Sequence, residues 1–114
     1  MNLIKINNLL EQFSEERDWN QFHSPKNLIM ALSGEVGELN EIFQWLTEEQ
    51  SSNLSSEVKK HTEEEIADIA IYLLKICTKL NINLEESILN KIKINELKYP
   101  IEQFKGSAEK SKIK

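Results

Sequence analysis

Four carboxylates fall into two pairs that have the same spacing. Glu35 and Glu38 lie three residues apart in one segment of helical apolar periodicity, and Glu65 and Asp68 repeat this spacing in a later segment. Because residues i and i+3 share one face of a helix, each pair can direct its oxygens towards one point. On a wheel of about 100° per residue, both pairs lie within or at the edge of the apolar arc. The sequence therefore predicts two carboxylate pairs that face the protein interior.

Carboxylates in such a position need a cation, since burying an isolated charge is costly. The two segments offer no basic residue on those edges, so a divalent metal is the better candidate. Ligand sets made only of oxygen favour Mg²⁺, or Mn²⁺, over zinc. A di-iron bundle would need Glu-x-x-His, and neither His23 nor His61 has a glutamate three positions earlier. The competing interpretation is that these charges are only the solvated faces of helices.

Further side chains suggest a nucleotide ligand. Lys91, Asn95 and Lys98 form one stripe along a later helical segment. Basic groups beside a magnesium site can balance the charge of a polyphosphate. Trp19 and Trp45 could each stack on a nucleobase. The alternatives are a solvated lysine face and two tryptophans that belong to the core.

The elements that must position these groups are helices. Apolar residues recur at helical spacing along almost the whole chain, whereas the strict alternation of a strand is hard to find. Ser24-Pro25 reads as an N-cap followed by proline in the first turn, and Pro100 ends the last long segment. Residues 50–56 read as a polar connection. Four helices are predicted, with apolar positions around residues 3–13, 28–46, 66–80 and 84–98.

Four helices with short connections predict an all-α, antiparallel four-helix bundle, completed by oligomerisation. Ile71 and Leu97 point away from the main apolar arcs and would mark a subunit interface. We expect one domain over residues 1–105 and a flexible Lys/Ser-rich tail over residues 106–114.

Composition excludes several classes of protein. The 114 residues carry 14 Lys and Arg against 19 Asp and Glu, a formal charge of −5, which argues against a nucleic-acid or anionic-membrane surface. One cysteine cannot form an internal disulfide, so we expect a cytoplasmic protein. No signal peptide is predicted, and the most apolar stretch, residues 66–77, is interrupted by Asp68 and Lys75 and is too short to span a membrane.

The carboxylate pairs also resemble a known motif. With 26 residues between them, they look like the metal motif of the MazG-type all-α nucleoside triphosphate pyrophosphohydrolases. Further matches, similar to the dCTP pyrophosphatase branch, extend over roughly residues 13–100. They are Glu16-Arg17-Asp18-Trp19, Gln21-Phe22-His23, Pro25-x-Asn27-Leu28, Gly34-Glu35-Val36-Gly37-Glu38-Leu39, Phe43-Gln44-Trp45, Lys91, Ile94-Asn95 and Lys98-Tyr99-Pro100.

The resemblance implies Mg²⁺-dependent hydrolysis of a nucleoside triphosphate, dCTP or a modified dCTP, between the α- and β-phosphates. It implies that the metal ligands are Glu35, Glu38, Glu65 and Asp68. From the chemistry of metal-assisted attack by water, we expect Glu35 or Glu38 to orient or deprotonate that water. It implies a base pocket with Trp19 and Trp45 and a phosphate region with Lys91, Asn95, Lys98 and Tyr99, and Asn27 and Tyr72 are further pocket candidates. It also implies a homodimer or homotetramer.

One position departs from the pattern expected of some relatives, which carry a histidine nine residues before the pocket tryptophan. Leu10 occupies that position here. Loss of a hydrogen-bonding group can relax or change base preference. One alternative is therefore the same fold acting on dUTP, on another noncanonical nucleotide or on a phosphoribosyl nucleotide. A separate alternative is a non-enzymatic helical module whose acidic edges bind a basic partner.

Overall fold

The computed structural model describes residues 1–112, and all regular structure in this range is helical. The helices are α1 (Leu3–Glu16), α2 (Pro25–Phe43), α3 (Glu48–Ser52), α4 (Ser56–Lys79), α5 (Leu84–Lys98) and α6 (Ile101–Phe104), with a 3₁₀ turn at Asn20–Phe22. The all-α prediction is confirmed, and the four longer helices correspond to the four that were predicted. The predicted tail begins at residue 106, and its last two residues, 113 and 114, lie outside the described residues.

Local capping explains where the long helices begin. The Ser24 hydroxyl accepts a hydrogen bond from the backbone N–H of Asn27, and Pro25 occupies the first turn of α2. Ser55 caps α4 and Asn83 caps α5 in the same way. These side chains satisfy backbone donors that have no partner within the helix.

Two short helices were not predicted. α3 lies where residues 50–56 read as a polar connection, and it begins with a capping box between Thr47 and Gln50. Glu48 and Glu49 in its first turn complement the helix dipole. A helix of this length carries no apolar periodicity, so only its cap could have revealed it. α6 follows Pro100 directly.

The chain divides into two compact units, and α1 to α4 belong to the first, Met1–Asn81. Within it, α2 packs along α4, and α1 contacts α4 over a smaller surface. Leu28 of α2 and Leu74 and Ile76 of α4 are the buried apolar residues of the described chain. Among residues 1–112, no helix is both long and apolar enough to cross a lipid bilayer.

The second unit, which begins at Ile82, contains α5 and α6. Tyr99 and Phe104 pack edge to face, with ring centroids 4.9 Å apart. Much of the apolar surface of α5 is exposed: Ile88, Leu89, Ile92, Ile94 and Leu97 are each 45–75% exposed. Two expectations stay predictions. One is a single domain over residues 1–105, and the other is a bundle that is completed by oligomerisation.

Candidate functional site

Three of the four predicted carboxylates converge where α2 packs against α4. Glu35 and Glu38 come from successive turns of α2, and Glu65 comes from α4. One carboxylate oxygen from each lies within 4.8 Å of the other two. The fourth residue, Asp68, is not part of this group, and its side chain instead lines a cavity together with Glu35. Glu35 is half-buried and Glu65 is buried, whereas Glu38 and Asp68 are exposed, so only one member of each pair faces the interior.

The cluster contains buried charge without a full set of partners. Glu65 is only 8% exposed, and its Oε1 lies 3.4 Å from Nε2 of His61. The Oε2 atoms of Glu35 and Glu65 are buried, and neither has a hydrogen-bond partner within the described chain. A buried acceptor without a donor destabilises a fold by about 1–3 kcal/mol, and more when it is charged. Three convergent carboxylates, two of which have a buried oxygen without a partner, fit a divalent cation that prefers oxygen ligands.

The same arrangement perturbs the ionisation of Glu35. Its pKa is raised from 4.5 to about 7, first because the protonated form can hydrogen-bond to the Glu65 carboxylate, and then because of burial. Hydrogen bonding and charge repulsion from Glu38 and repulsion from Asp68 act in the same direction. In the absence of a cation, a proton on Glu35 would supply the donor that the Oε2 atoms lack.

A cavity of about 330 Å³ opens beside the cluster. Glu35 and Asp68 contribute its acidic lining, and Phe13, Trp19 and Tyr72 contribute its aromatic lining. Three aromatic rings within reach of a cation site are suited to a flat heterocycle that carries an anionic group. On the other side of the cluster, a more open cavity of about 400 Å³ is lined by Glu38, Glu65 and His61.

The turn after α1 explains how Trp19 reaches the cavity. Asp18 adopts a left-handed conformation with φ 53°, which reverses the chain at the end of the helix. The N–H of Trp19 then donates to the carbonyl of Ser14 at 2.9 Å, and Gln21 donates to the carbonyl and carboxylate of Asp18. The Trp19 ring consequently meets Phe13 edge to face, with centroids 5.6 Å apart.

Two polar residues line this cavity that were not predicted as site residues. Lys75 donates a hydrogen bond to the buried hydroxyl of Ser14, and its Nζ lies 3.5 Å from Nδ1 of His23. The expectation that no basic residue lies on these edges is therefore wrong for α4. Spacing could have revealed Lys75, because it follows Asp68 by seven residues and so shares its helical face.

The remaining predicted residues of the first unit lie outside the aromatic cavity. The Asn27 side chain donates to the carbonyl of Phe22 at 3.0 Å and so ties the 3₁₀ turn to the start of α2. Trp45 follows the end of α2 and is 85% exposed. Neither residue lines the cavity that holds Trp19 and Tyr72.

The predicted phosphate-binding residues all belong to the second unit. Lys91 and Asn95 are exposed on α5, Lys98 is half-buried in its last turn, and Tyr99 caps that helix. Lys91, Asn95 and Lys98 lie four and three residues apart within α5, as the predicted stripe requires. Their role as phosphate ligands stays a prediction.

Residues 30–112 match the MazG-like family over a range that contains all four carboxylates. The chain belongs to the MazG-like family. This MazG-like chain is similar to curated proteins named dCTP pyrophosphatase 1: 38% identical to the rat protein over 108 residues and 39% identical to the human protein over 110. These matches cover 93–95% of this chain but only 64–65% of the relatives' length.

A solved structure is also similar to this MazG-like chain. A pyrophosphatase from Archaeoglobus fulgidus superposes with a TM-score of 0.82 at 40% sequence identity. The match covers 88% of this chain and 94% of the archaeal chain. The family resemblance recognised in the sequence is thereby confirmed.

Proposed function

We propose that this chain is a metal-dependent nucleoside triphosphate pyrophosphohydrolase that converts dCTP, or a modified dCTP, to the monophosphate and pyrophosphate. The observation that carries the proposal is the carboxylate cluster at the edge of an aromatic cavity, in which a cation site adjoins a surface suited to a base. The names of the similar rat, human and archaeal proteins support this class of reaction.

The cation in this proposal is Mg²⁺, with Mn²⁺ as the alternative. Glu35, Glu38 and Glu65 would hold it, and Asp68 would complete the acidic set from the cavity side. When bound, it supplies Lewis acidity that offsets the negative charge developing on the phosphate oxygens. The orphaned oxygens of Glu35 and Glu65 support this assignment, because all-oxygen sites suit these two ions.

The chain's own residues bind the nucleotide and prepare the water. Glu35 or Glu38 would accept the proton of the attacking water as a general base. Trp19 and Tyr72 would stack against the base, with Asn27 and Trp45 as further contacts. The phosphates would be bound by Lys91, Asn95, Lys98 and Tyr99.

The proposed enzyme is a homodimer or homotetramer in the cytoplasm that binds a nucleotide but neither nucleic acid nor a membrane. The exposed apolar side chains of α5 support self-association, because large apolar patches on a protein of this size are usually covered by a partner. Sedimentation velocity tests the assembly: a species at the mass of one chain, 13.3 kDa, at micromolar concentration would contradict it.

Pyrophosphate release from a panel of canonical and modified deoxynucleoside triphosphates tests the activity. We expect release with excess Mg²⁺, none with EDTA, and the highest rate for dCTP or a modified dCTP. Glu38→Gln and Asp68→Asn should each lower kcat by about a hundredfold or more. Glu64→Gln removes the same charge from an exposed position of α4 and should leave kcat unchanged.

Two other results would redirect the proposal. The highest rate with dUTP or another nucleotide would keep the chemistry and change the substrate. No release from any nucleotide, together with an unfolding temperature that does not respond to Mg²⁺, would contradict the enzyme and favour a helical interaction module, since a ligand that binds only the folded state must stabilise it.

A further inference from the structure

Lys75 occupies the part of the aromatic cavity that lies farthest from Asp68 along α4. The two residues are seven positions apart, which is two helical turns or about 10 Å along the axis. They share one helical face, with Tyr72 between them, and all three line the same cavity. Along α4, the cavity wall therefore begins with the carboxylate of Asp68, continues with the ring of Tyr72 and ends with the amino group of Lys75.

This order matches the parts of a nucleotide if the proposed function holds, on which the inference rests. The phosphates must lie near the carboxylates that hold the cation. The base, stacked on Trp19 or Tyr72, then extends away from them, and its hydrogen-bonding edge is the part most distant from the phosphates. Lys75 lies where that edge would be.

The surroundings leave Lys75 as a strong donor for that edge. Leu10 and Ile71 contribute apolar surface to this cavity. Lys75 has three N–H donors, and Ser14 and His23 are the two acceptors that the structure places beside them. Burial lowers the pKa of His23, and the nearby positive charges of Lys75 and Lys79 lower it further. Burial also lowers the pKa of Lys75, and Lys75 is the one Lys or Arg among the described residues that line this cavity.

We propose that Lys75 is a specificity-determining residue that selects cytosine over uracil and thymine. Cytosine offers two adjacent acceptors, O2 and N3, to a donor at its edge. Uracil and thymine present an N3–H at the same place, which would face the ammonium group donor to donor. Leaving buried donors unpaired against the wrong base is an effective source of discrimination.

A purely structural role for Lys75 makes a different prediction. Its hydrogen bond to Ser14 connects α4 with α1, across 61 residues of sequence. If that were its whole function, its loss would lower stability and weaken all substrates equally. A specificity-determining lysine instead changes the ratio between bases, which a loss of stability does not alter.

The test compares wild-type protein with Lys75→Met, which keeps the length of the side chain and removes its donors. Lys79→Met is the matched control, because it removes the same charge one turn later on α4, and Lys79 does not line the aromatic cavity. kcat and KM are measured for dCTP, dUTP and dTTP. Calorimetry in EDTA measures binding of dCMP and dUMP, which reports base recognition without turnover.

We expect Lys75→Met to raise KM for dCTP by about tenfold to a hundredfold, the usual range for losing a hydrogen bond to a charged donor. KM for dUTP should change little, so the preference for cytosine falls by the same factor, and binding of dCMP should weaken relative to dUMP. Lys79→Met should keep the wild-type ratios. Lys75→Gln retains a neutral donor and should be intermediate, and it replaces Lys75→Met if that variant does not fold.

An unchanged ratio between cytosine and uracil substrates in Lys75→Met, with wild-type turnover intact, would overturn this inference and leave the proposed function standing. Absence of turnover in the wild-type protein would overturn the proposed function. In that case the dCMP and dUMP titrations decide on Lys75 alone: a wild-type preference that Lys75→Met abolishes supports the inference, and equal binding overturns it.

Discussion

Without a bound cation, the stability of this protein should fall as the pH rises from about 4.5 to about 7, because of Glu35. In the folded chain its pKa is about 7, above the ordinary value of 4.5. Between these values the folded state holds a proton that the unfolded state has released, so raising the pH favours unfolding. The contribution of Glu35 is fully present below 4.5 and is lost as the pH rises through 7.

The size of the effect follows from the shift. A change from 4.5 to about 7 corresponds to ~3 kcal/mol for a fully desolvated group. The Glu35 side chain is only partly buried, so screening by water reduces this to about 1–2 kcal/mol. For a chain of this size that is roughly 5–10 °C in unfolding temperature. Above pH 7, Mg²⁺ should raise the free energy of unfolding by at least the ~1–2 kcal/mol that is lost. At a hundred times its Kd, a bound ion contributes about 2.7 kcal/mol.

The assay is thermal unfolding followed by circular dichroism between pH 4.5 and 8, in EDTA and in Mg²⁺. His23 opposes the trend, because a pKa lowered in the folded state makes stability rise with pH up to about 6.5. Glu35→Gln isolates the glutamate, since the amide does not titrate, and Glu64→Gln controls for the loss of one exposed charge. Parallel pH curves for wild type and Glu35→Gln in EDTA would refute the reasoning.

Three further predictions concern single side chains. Leu28 is 1% exposed, so Leu28→Ala should lower the free energy of unfolding in urea by about 2–4 kcal/mol; a loss below 1 kcal/mol would mean that the α2–α4 core is not the main source of stability. Trp19→Ala should raise KM by roughly five- to hundredfold with kcat little changed, as expected for loss of base stacking, and an unchanged KM would exclude Trp19 from the base pocket. Glu65→Gln should abolish the increase in unfolding temperature on adding Mg²⁺, whereas Glu64→Gln should keep it; a full increase in Glu65→Gln would remove Glu65 from the cation site.

The features that local sequence determines were predictable. A serine before Pro25 specifies the start of α2 through one hydrogen bond, and a three-residue spacing puts Glu35 and Glu38 on one face of that helix. Such information lies within one or two helical turns. It therefore does not depend on how the helices later pack.

How deeply each side chain is buried, and which residues of other helices it contacts, could not be predicted in this way. Spacing treats Glu65 and Asp68 as equivalent, but packing of α2 on α4 brings only Glu65 into the group of three carboxylates. Likewise, nothing in the sequence near Lys75 indicates that its hydrogen-bond partner is Ser14, on another helix. Periodicity assigns a residue to a face, and tertiary packing decides what that face contacts.

The face of α4 connects the two proposals. Glu65, Asp68, Tyr72 and Lys75 follow one another at intervals of three, four and three residues, so a single rigid helix presents acidic, aromatic and basic groups in that order. α2 completes the acidic end and α1 completes the other, since Trp19 and Ser14 come from α1 and its turn. In the two proposals, α4 sets the separation between the residues that would hold the cation and Lys75, so the base of a bound nucleotide would meet Lys75 at a distance set by this helix. Selection of the base and activation of the phosphate would then depend on the same element, and we expect a shift of α1 to change the first more than the second.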